Sequence, residues 1–129
     1  METITLPWMK ALGLPFCSAA RAGDFLYLSG AVGNRTGTIT LVEGGLSAQA
    51  SQAMENIGEV LRACGLGFGD TVKFTIMLAD IDRWAEFNAV YLTYFDPTRL
   101  PARSAFGANG LALGAEVEIE CVAYWPPER

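Results

Sequence analysis

Two segments of this chain alternate like β-strands but carry apolar residues on both faces. In residues 25–32 (FLYLSGAV), Leu26, Leu28 and Val32 share one face, and Phe25, Tyr27 and Ala31 share the other. In residues 116–125 one face is wholly apolar, and the other combines carboxylates with Val122 and Tyr124. Such strands need a covering layer on each side of their sheet, because large apolar surfaces do not stay in contact with water.

Only two long amphipathic helices are predicted to provide that cover. Ser47 is a suitable N-cap for the first, which Gly65 ends. Its apolar stripe recurs at steps of three and four residues: Ala50, Met54, Ile57, Leu61 and Cys64. The second begins at the cap Asp82 and ends before Pro97. Its stripe is Trp84, Phe87, Val90 or Tyr91, and Tyr94.

Three further strands complete the pattern. Residues 71–78 alternate, with Val72, Phe74, Ile76 and Leu78 on one face. Residues 38–42 are predicted to form a hairpin with 25–32 across a glycine-containing turn. Residues 103–108 form a short strand before the last one. The predicted order is β-β-α-β-α-β-β, and an added N-terminal strand fits the same arrangement.

An α+β fold with two helices on one face of a sheet follows, in which residues 1–129 form a single domain. Two helices cover only one face, so we expect another copy of the chain to cover the other. The composition agrees, because 51% of the residues are apolar and only 18% are charged, against about 25% charged in typical soluble domains.

Charge and composition exclude several partners and chemistries. A net charge of −5 with nine basic residues disfavours nucleic acid and anionic membranes. We expect no signal peptide and no membrane-spanning segment. Three separated cysteines without metal-binding spacing indicate a reducing, cytoplasmic setting. The absence of histidine argues against zinc chemistry and hydrolysis by a catalytic triad.

Charged residues on the predicted strands are the first candidates for chemistry. Arg103 opens its strand after a proline-fixed turn and could present a bidentate fork to a carboxylate. From spacing alone, an ordinary surface or interface ion pair is the favoured explanation. Glu116, Glu118 and Glu120 share one side of the last strand. A buried member could hold a water or move a proton. They could instead pair structurally with Lys73 or Arg103.

Other candidates have simpler explanations. Gly30, after Ser29, would let a ligand approach the backbone, but a glycine there also marks a β-bulge. Core packing explains the helical spacing of Trp84 and the other aromatic residues of the second helix. Asn88 lies off that stripe, as a solvated surface residue would.

Six segments together resemble the Rid (reactive intermediate deaminase, or YjgF) family, also known as endoribonuclease L-PSP. They span about residues 14–125 in the family's order and spacing: 23–30 (GDFLYLSG), 48–57 (AQASQAMENI), 69–75 (GDTVKFT), 88–95 (NAVYLTYF), 101–104 (PARS) and 117–120 (VEIE).

The resemblance implies a chorismate-mutase-like homotrimer with a cleft between each pair of subunits. It also implies hydrolysis of 2-imino acids, or their enamine tautomers, to 2-keto acids and ammonia, without metal or cofactor. Arg103 and the backbone N–H of Ala105 would then bind the substrate carboxylate, and Glu118 would position the attacking water. The residues expected to line the cleft are Phe16, Ser29, Gly30, Trp84 and Asn88.

One departure from the family pattern keeps other functions open. Many active members have a tyrosine where this chain has Phe16, so a hydroxyl is missing. A non-catalytic trimer that binds small carboxylates or acts as a chaperone is the alternative. An endoribonuclease ranks last, because histidine is absent and the net charge is negative.

Overall fold

The structure is a computed structural model that describes residues 1–127, and it contains a six-stranded mixed sheet packed against helices. In chain order the elements are β1 (Glu2–Ile4), α1 (Pro7–Leu12), β2 (Ala19–Ala22), β3 (Phe25–Leu28), α2 (Gly45–Ala63), β4 (Thr71–Leu78), α3 (Trp84–Tyr91), β5 (Ala102–Gly107) and β6 (Val117–Tyr124). The strand order is β1-β2-β3-β6-β4-β5. Neighbouring strands are antiparallel except β4 and β5, which are parallel.

The core lies between one face of the sheet and the helices, as the alternation predicts. Each member of the stripe on α2 is buried, from Ala50 to Cys64. The predicted inner face of β6 is also buried: Val117, Ile119, Cys121 and Ala123. Apolar area removed from water in this layer is the main stabilising term of the fold.

The opposite face of the sheet remains apolar and open. Phe25 is 39% exposed, Tyr27 is 50% exposed and Tyr124 is 45% exposed. The rings of Phe25 and Tyr124 contact each other on adjacent strands, with centroids 5.7 Å apart. Val72 of β4 is 42% exposed and not in the core, because a register shift between Thr71 and Lys73 interrupts the alternation.

The N-terminal region contains more structure than the sequence pattern indicates. It forms two strands and the short helix α1, so three α-helices are present in residues 1–127. The indole Nε1 of Trp8 in α1 donates a hydrogen bond of 2.8 Å to Glu59 Oε1 in α2. Helix α1 therefore packs beside α2. Within the same residues, no helix is both long and apolar enough to span a membrane.

The predicted strand at residues 38–42 is wrong. Residues 32–43 form a loop in which Asn34 and Leu41 make an isolated bridge. The Asn34 side-chain amide donates to Thr38 O at 2.8 Å, so side chains satisfy backbone groups that a strand ladder would otherwise pair. The strand predicted at 25–32 ends at Leu28, and only Ala31 resumes pairing, with Ile119.

Both long helices begin at other residues than predicted. Helix α2 begins at Gly45, after the N-cap Gly44, and Ser47 lies inside it. Asp82 does not cap α3: the Asp80 carboxylate caps a preceding 3₁₀ turn by accepting a hydrogen bond from Asp82 N. Within α3, Phe87 and Tyr91 are buried as predicted, but Trp84 is 52% exposed and does not join the core.

The C-terminal end of α2 provides a test of backbone conformation. Gly65 has a left-handed φ of 73°, whereas Gly67 is extended, with a φ of −143°. A Cβ at either position would meet no atom of residues 1–127 within 4 Å. We expect Gly65→Ala to lower the free energy of unfolding by about 1 kcal/mol through backbone strain. The matched Gly67→Ala should be neutral or stabilising by up to about 1 kcal/mol. Urea unfolding measures both, and equal effects would contradict the assignment.

Candidate active site

Arg103 is held in a fixed position by neutral groups. Its partner across β5 and β4 is the buried Phe74, so the Arg103 side chain lies on the helix-covered side of the sheet. Its Nη1 donates to Asn88 Oδ1 at 2.7 Å, and its guanidinium carbon lies 5.0 Å from the Tyr91 ring centroid and 6.0 Å from that of Phe87. Asn88 is thus a partner of Arg103 and not merely a solvated surface residue.

The guanidinium of Arg103 is still able to bind an anion. Among residues 1–127 no carboxylate pairs with it, so the ordinary ion pair considered from the sequence is not found. Burial raises the pKa of Tyr91 to about 12, which leaves a neutral phenol ring beneath the cation. A planar cation held by an amide and an aromatic ring is oriented for bidentate binding of a carboxylate.

Arg103 opens into a cavity of about 500 Å³, which we call the Arg103 cavity. Its walls are Ile81, Asp82, Trp84, Arg103 and Ala105. The exposed ring of Trp84 and the edge strand β5 are therefore part of one site. The structure brings together four of the predicted residues here: Arg103, Ala105, Trp84 and, through its hydrogen bond, Asn88.

Glu118 lies in a different environment on the other face of the sheet. Its partner on β4 is Met77, three residues from the partner of Arg103. A Cβ on Gly30 would overlap the Glu118 carboxylate, so the glycine at this position is what admits the carboxylate. Next to it, Ser29 Oγ donates to Cys17 O at 2.7 Å, which holds the segment in place.

The Glu118 carboxylate has no hydrogen bond or ion pair with any residue in the part of the chain that the structure describes. Burial, and secondly repulsion from Glu120, raise the pKa of its carboxyl group. The ion pair with Lys73 that the sequence allowed for these glutamates is not formed by Glu118, since Lys73 donates to Ser104 Oγ instead. Glu116 does form a structural ion pair, but its partner is Arg83, at 2.6 Å. A carboxyl group with a raised pKa holds a proton more readily than a fully solvated one, as an acid–base group does.

A second cavity, of about 310 Å³, adjoins this carboxylate, and we call it the Glu118 cavity. It brings together the other four predicted residues, namely Phe16, Ser29, Gly30 and Glu118. Of the residues that the structure describes, none lines both cavities. The predicted site residues of one protomer are consequently divided between two cavities, with Arg103 at one and Glu118 at the other.

Sequence reasoning missed Asn56, which holds the wall of the Glu118 cavity. Its Nδ2 donates to Val32 O at 3.1 Å and to Asn34 O at 3.0 Å, and both asparagines are 8% exposed. This anchors the loop that follows Gly30 against α2. In the sequence, this residue is an amide next to the buried apolar stripe of a helix. A solvated side chain at that position would give the same pattern, so the sequence alone did not identify it. Among residues 1–127 no cluster of cysteine and acidic side chains is arranged to hold a metal.

Comparison with known proteins gives consistent results. The profile of the family described as Endoribonuclease L-PSP matches residues 9–125. The 2-iminobutanoate/2-iminopropanoate deaminase of Mus musculus is 40% identical over 113 residues, which are 88% of this chain and 83% of that protein. The crystal structure of RidA from an Antarctic Psychrobacter superposes with a TM-score of 0.86 at 34% identity, covering 96% of this chain and 99% of that one. The YjgF gene product of E. coli gives 0.85 at 28% identity, covering 96% and 98%.

The raised pKa of Glu118 predicts a pH-dependent stability. A carboxyl group whose folded pKa lies above the unfolded value stabilises the fold below the unfolded pKa, and this contribution is lost as pH rises through the folded pKa. We therefore expect Glu118→Gln to raise the free energy of unfolding at neutral pH, and the gain to vanish in acid. The control is Glu43→Gln, an exposed carboxylate outside both cavities. Denaturant unfolding at several pH values measures this, and a gain that is independent of pH would contradict it.

Proposed function

This chain belongs to the Rid/YjgF family, whose profile is described as Endoribonuclease L-PSP, and on that premise we propose that it is a hydrolytic imine deaminase. It converts 2-imino acids, or their enamine tautomers, to 2-keto acids and ammonia, and so removes reactive intermediates. The observation that carries the proposal is the guanidinium of Arg103, held by Asn88 and Tyr91 without an acid partner in the described part of the chain. That arrangement is made to receive a small carboxylate.

Each side chain has a proposed role in the reaction. Arg103 and the backbone N–H of Ala105 bind the substrate carboxylate. Glu118 holds a water against the imine carbon. The water oxygen forms a bond to that carbon as the π electron pair of the C=N bond moves to the nitrogen, and one water proton passes through Glu118 to the nitrogen. The proton of the new hydroxyl group then also passes to the nitrogen, the C–N bond breaks with its electron pair on nitrogen, and ammonia leaves as the keto group forms. Positioning supplies much of the acceleration, because the imine carbon is already electrophilic.

We propose that the working enzyme is a homotrimer of single-domain chains, each comprising residues 1–129. The apolar open face, with Phe25, Tyr27 and Tyr124 exposed, supports burial against other copies. The division of the site gives a second argument. A cleft between protomers would join the Arg103 cavity of one chain to the Glu118 cavity of the next. Assembly would then complete a site that one chain holds only in halves.

Phe16 distinguishes this chain from many active family members. It lines the Glu118 cavity and is 49% exposed, but it offers no hydroxyl to the imine nitrogen. The proton transfers then depend on Glu118 and water. This residue is also the one feature that favours the alternative of a non-catalytic trimer that binds small carboxylates. The free thiols of Cys17, Cys64 and Cys121 fit a proposed cytoplasmic location.

Removal of the guanidinium tests the function directly. We expect Arg103→Ala to lower kcat/KM for 2-iminopropanoate by about a hundredfold or more, because a charge-assisted contact to the carboxylate is lost. Arg99→Ala, a nearby change outside both cavities, should leave the rate unaltered. Ammonia release from an imine generated in situ is the measurement. Equal rates for wild type and Arg103→Ala would reject the site, and wild-type binding of 2-keto acids without turnover would favour the alternative.

Mixed assemblies test the divided site. Chains with Arg103→Ala and chains with Glu118→Gln are each expected to be inactive alone. If every site takes Arg103 from one protomer and Glu118 from the next, random co-assembly by co-expression should restore about a quarter of the wild-type sites. Assemblies of the double variant with the Arg103→Ala chain contain no complete site and serve as the control. No recovery in the first mixture would mean that both groups act within one chain.

A further inference from the structure

The polar side chains in the wall of the Glu118 cavity are already satisfied by the protein. Ser18 Oγ accepts a hydrogen bond from Leu6 N and donates to Met9 Sδ, and Ser29 Oγ donates to Cys17 O. The remaining polar wall residues, Asn34, Thr38 and Asn56, bond to the loop and to each other. Only the Glu118 carboxylate is left without a partner in residues 1–127. Apart from that group, the cavity offers a ligand apolar surface.

Two large apolar side chains on this wall are exposed. Ile39 is 56% exposed and Leu113 is 52% exposed. Leu113 also has a φ of 62° and a ψ of 13°, the left-handed conformation that favours glycine. It is the only non-glycine residue of the chain's described part with positive φ. Backbone strain of this kind is retained at functional positions. Here the Leu113 side chain faces the cavity beside Glu118.

We propose that Ile39 and Leu113 select 2-imino acids with bulky apolar side chains, branched or aromatic, over those with small or polar ones. This proposal rests on the proposed function. When Arg103 binds the carboxylate and Glu118 holds a water against the imine carbon, the remaining substituent of that carbon faces the Glu118 cavity. The cavity has a volume of about 310 Å³. A methyl or ethyl group would leave most of it unfilled.

Substrate competition tests the selectivity. Imines are generated by an amino-acid oxidase from leucine, phenylalanine, alanine and glutamine, and kcat/KM is measured for each. We expect the leucine and phenylalanine imines to exceed the alanine imine by about tenfold or more, as buried apolar groups of this size allow. The glutamine imine, which is long but polar, should not exceed the alanine imine. Equal values for all four would overturn the proposal.

Variants assign the selectivity to the two residues. Ile39→Ala and Leu113→Gly should each lower the leucine-to-alanine ratio about fivefold, since each removes apolar wall surface. Leu113→Gly also relieves the left-handed backbone, so misfolding would not explain its effect. Leu92→Ala, at a residue 48% exposed but outside both cavities, should leave the ratio unaltered. An unchanged ratio in both variants, or dissociation of the assembly in place of a changed ratio, would show that these residues serve another purpose.

Product binding separates this proposal from the deaminase proposal. If no imine is hydrolysed faster than it decays spontaneously, the proposed function fails. Calorimetry with 4-methyl-2-oxopentanoate and pyruvate then still measures the cavity. Binding of 4-methyl-2-oxopentanoate about tenfold tighter or more supports the selectivity without catalysis, and equal affinities overturn it.

Discussion

Pairing of β4 with both β5 and β6 decides where every charged group of the site lies. Phe74 of β4 is opposite Arg103, and Met77 is opposite Glu118. Because side chains alternate along a strand, positions three residues apart lie on opposite faces of the sheet. The arginine is therefore directed to the helix-covered side and the carboxylate to the open side. A shift of one residue in the register of β5 would turn Arg103 to the other face, and the same shift in the register of β6 would turn Glu118.

The two charged groups share an electrostatic feature, although they lie in separate cavities. Neither Arg103 nor Glu118 is neutralised by an opposite charge within residues 1–127. Arg103 is held by an amide and an aromatic ring, which orient the guanidinium without consuming its charge. Glu118 is partly buried near Glu120, and its pKa is raised as a result. In contrast Arg83 binds Glu86 and Glu116 and has a structural role. Uncompensated charge is costly inside a protein, so its presence at two positions supports the proposed roles of these groups.

The apolar open face and the divided site lead to the same requirement. Exposure of Phe25, Tyr27 and Tyr124 to water is unfavourable, because burial of apolar surface lowers the free energy. In addition, each of the two cavities contains only one of the two charged groups of the site. One assembly step would meet both needs, and the proposed function therefore depends on contacts between chains as much as on contacts within one.

The sequence by itself determined the elements with strong periodicity. The buried stripe of α2, strand β4 and the inner face of β6 follow from local spacing, and Gly65 marks the end of α2. The family resemblance identified Arg103 and Glu118 as candidates. Tertiary structure alone decided what depends on distant partners: Asn34 and Asn56 turn a predicted strand into a loop, Arg103 engages Asn88, and Gly30 makes room for Glu118. Periodicity shows which side of an element is apolar. It does not show which residues of another element pack against that side. Hydrogen bonds and close contacts between elements depend on those residues, so only the tertiary structure determines them.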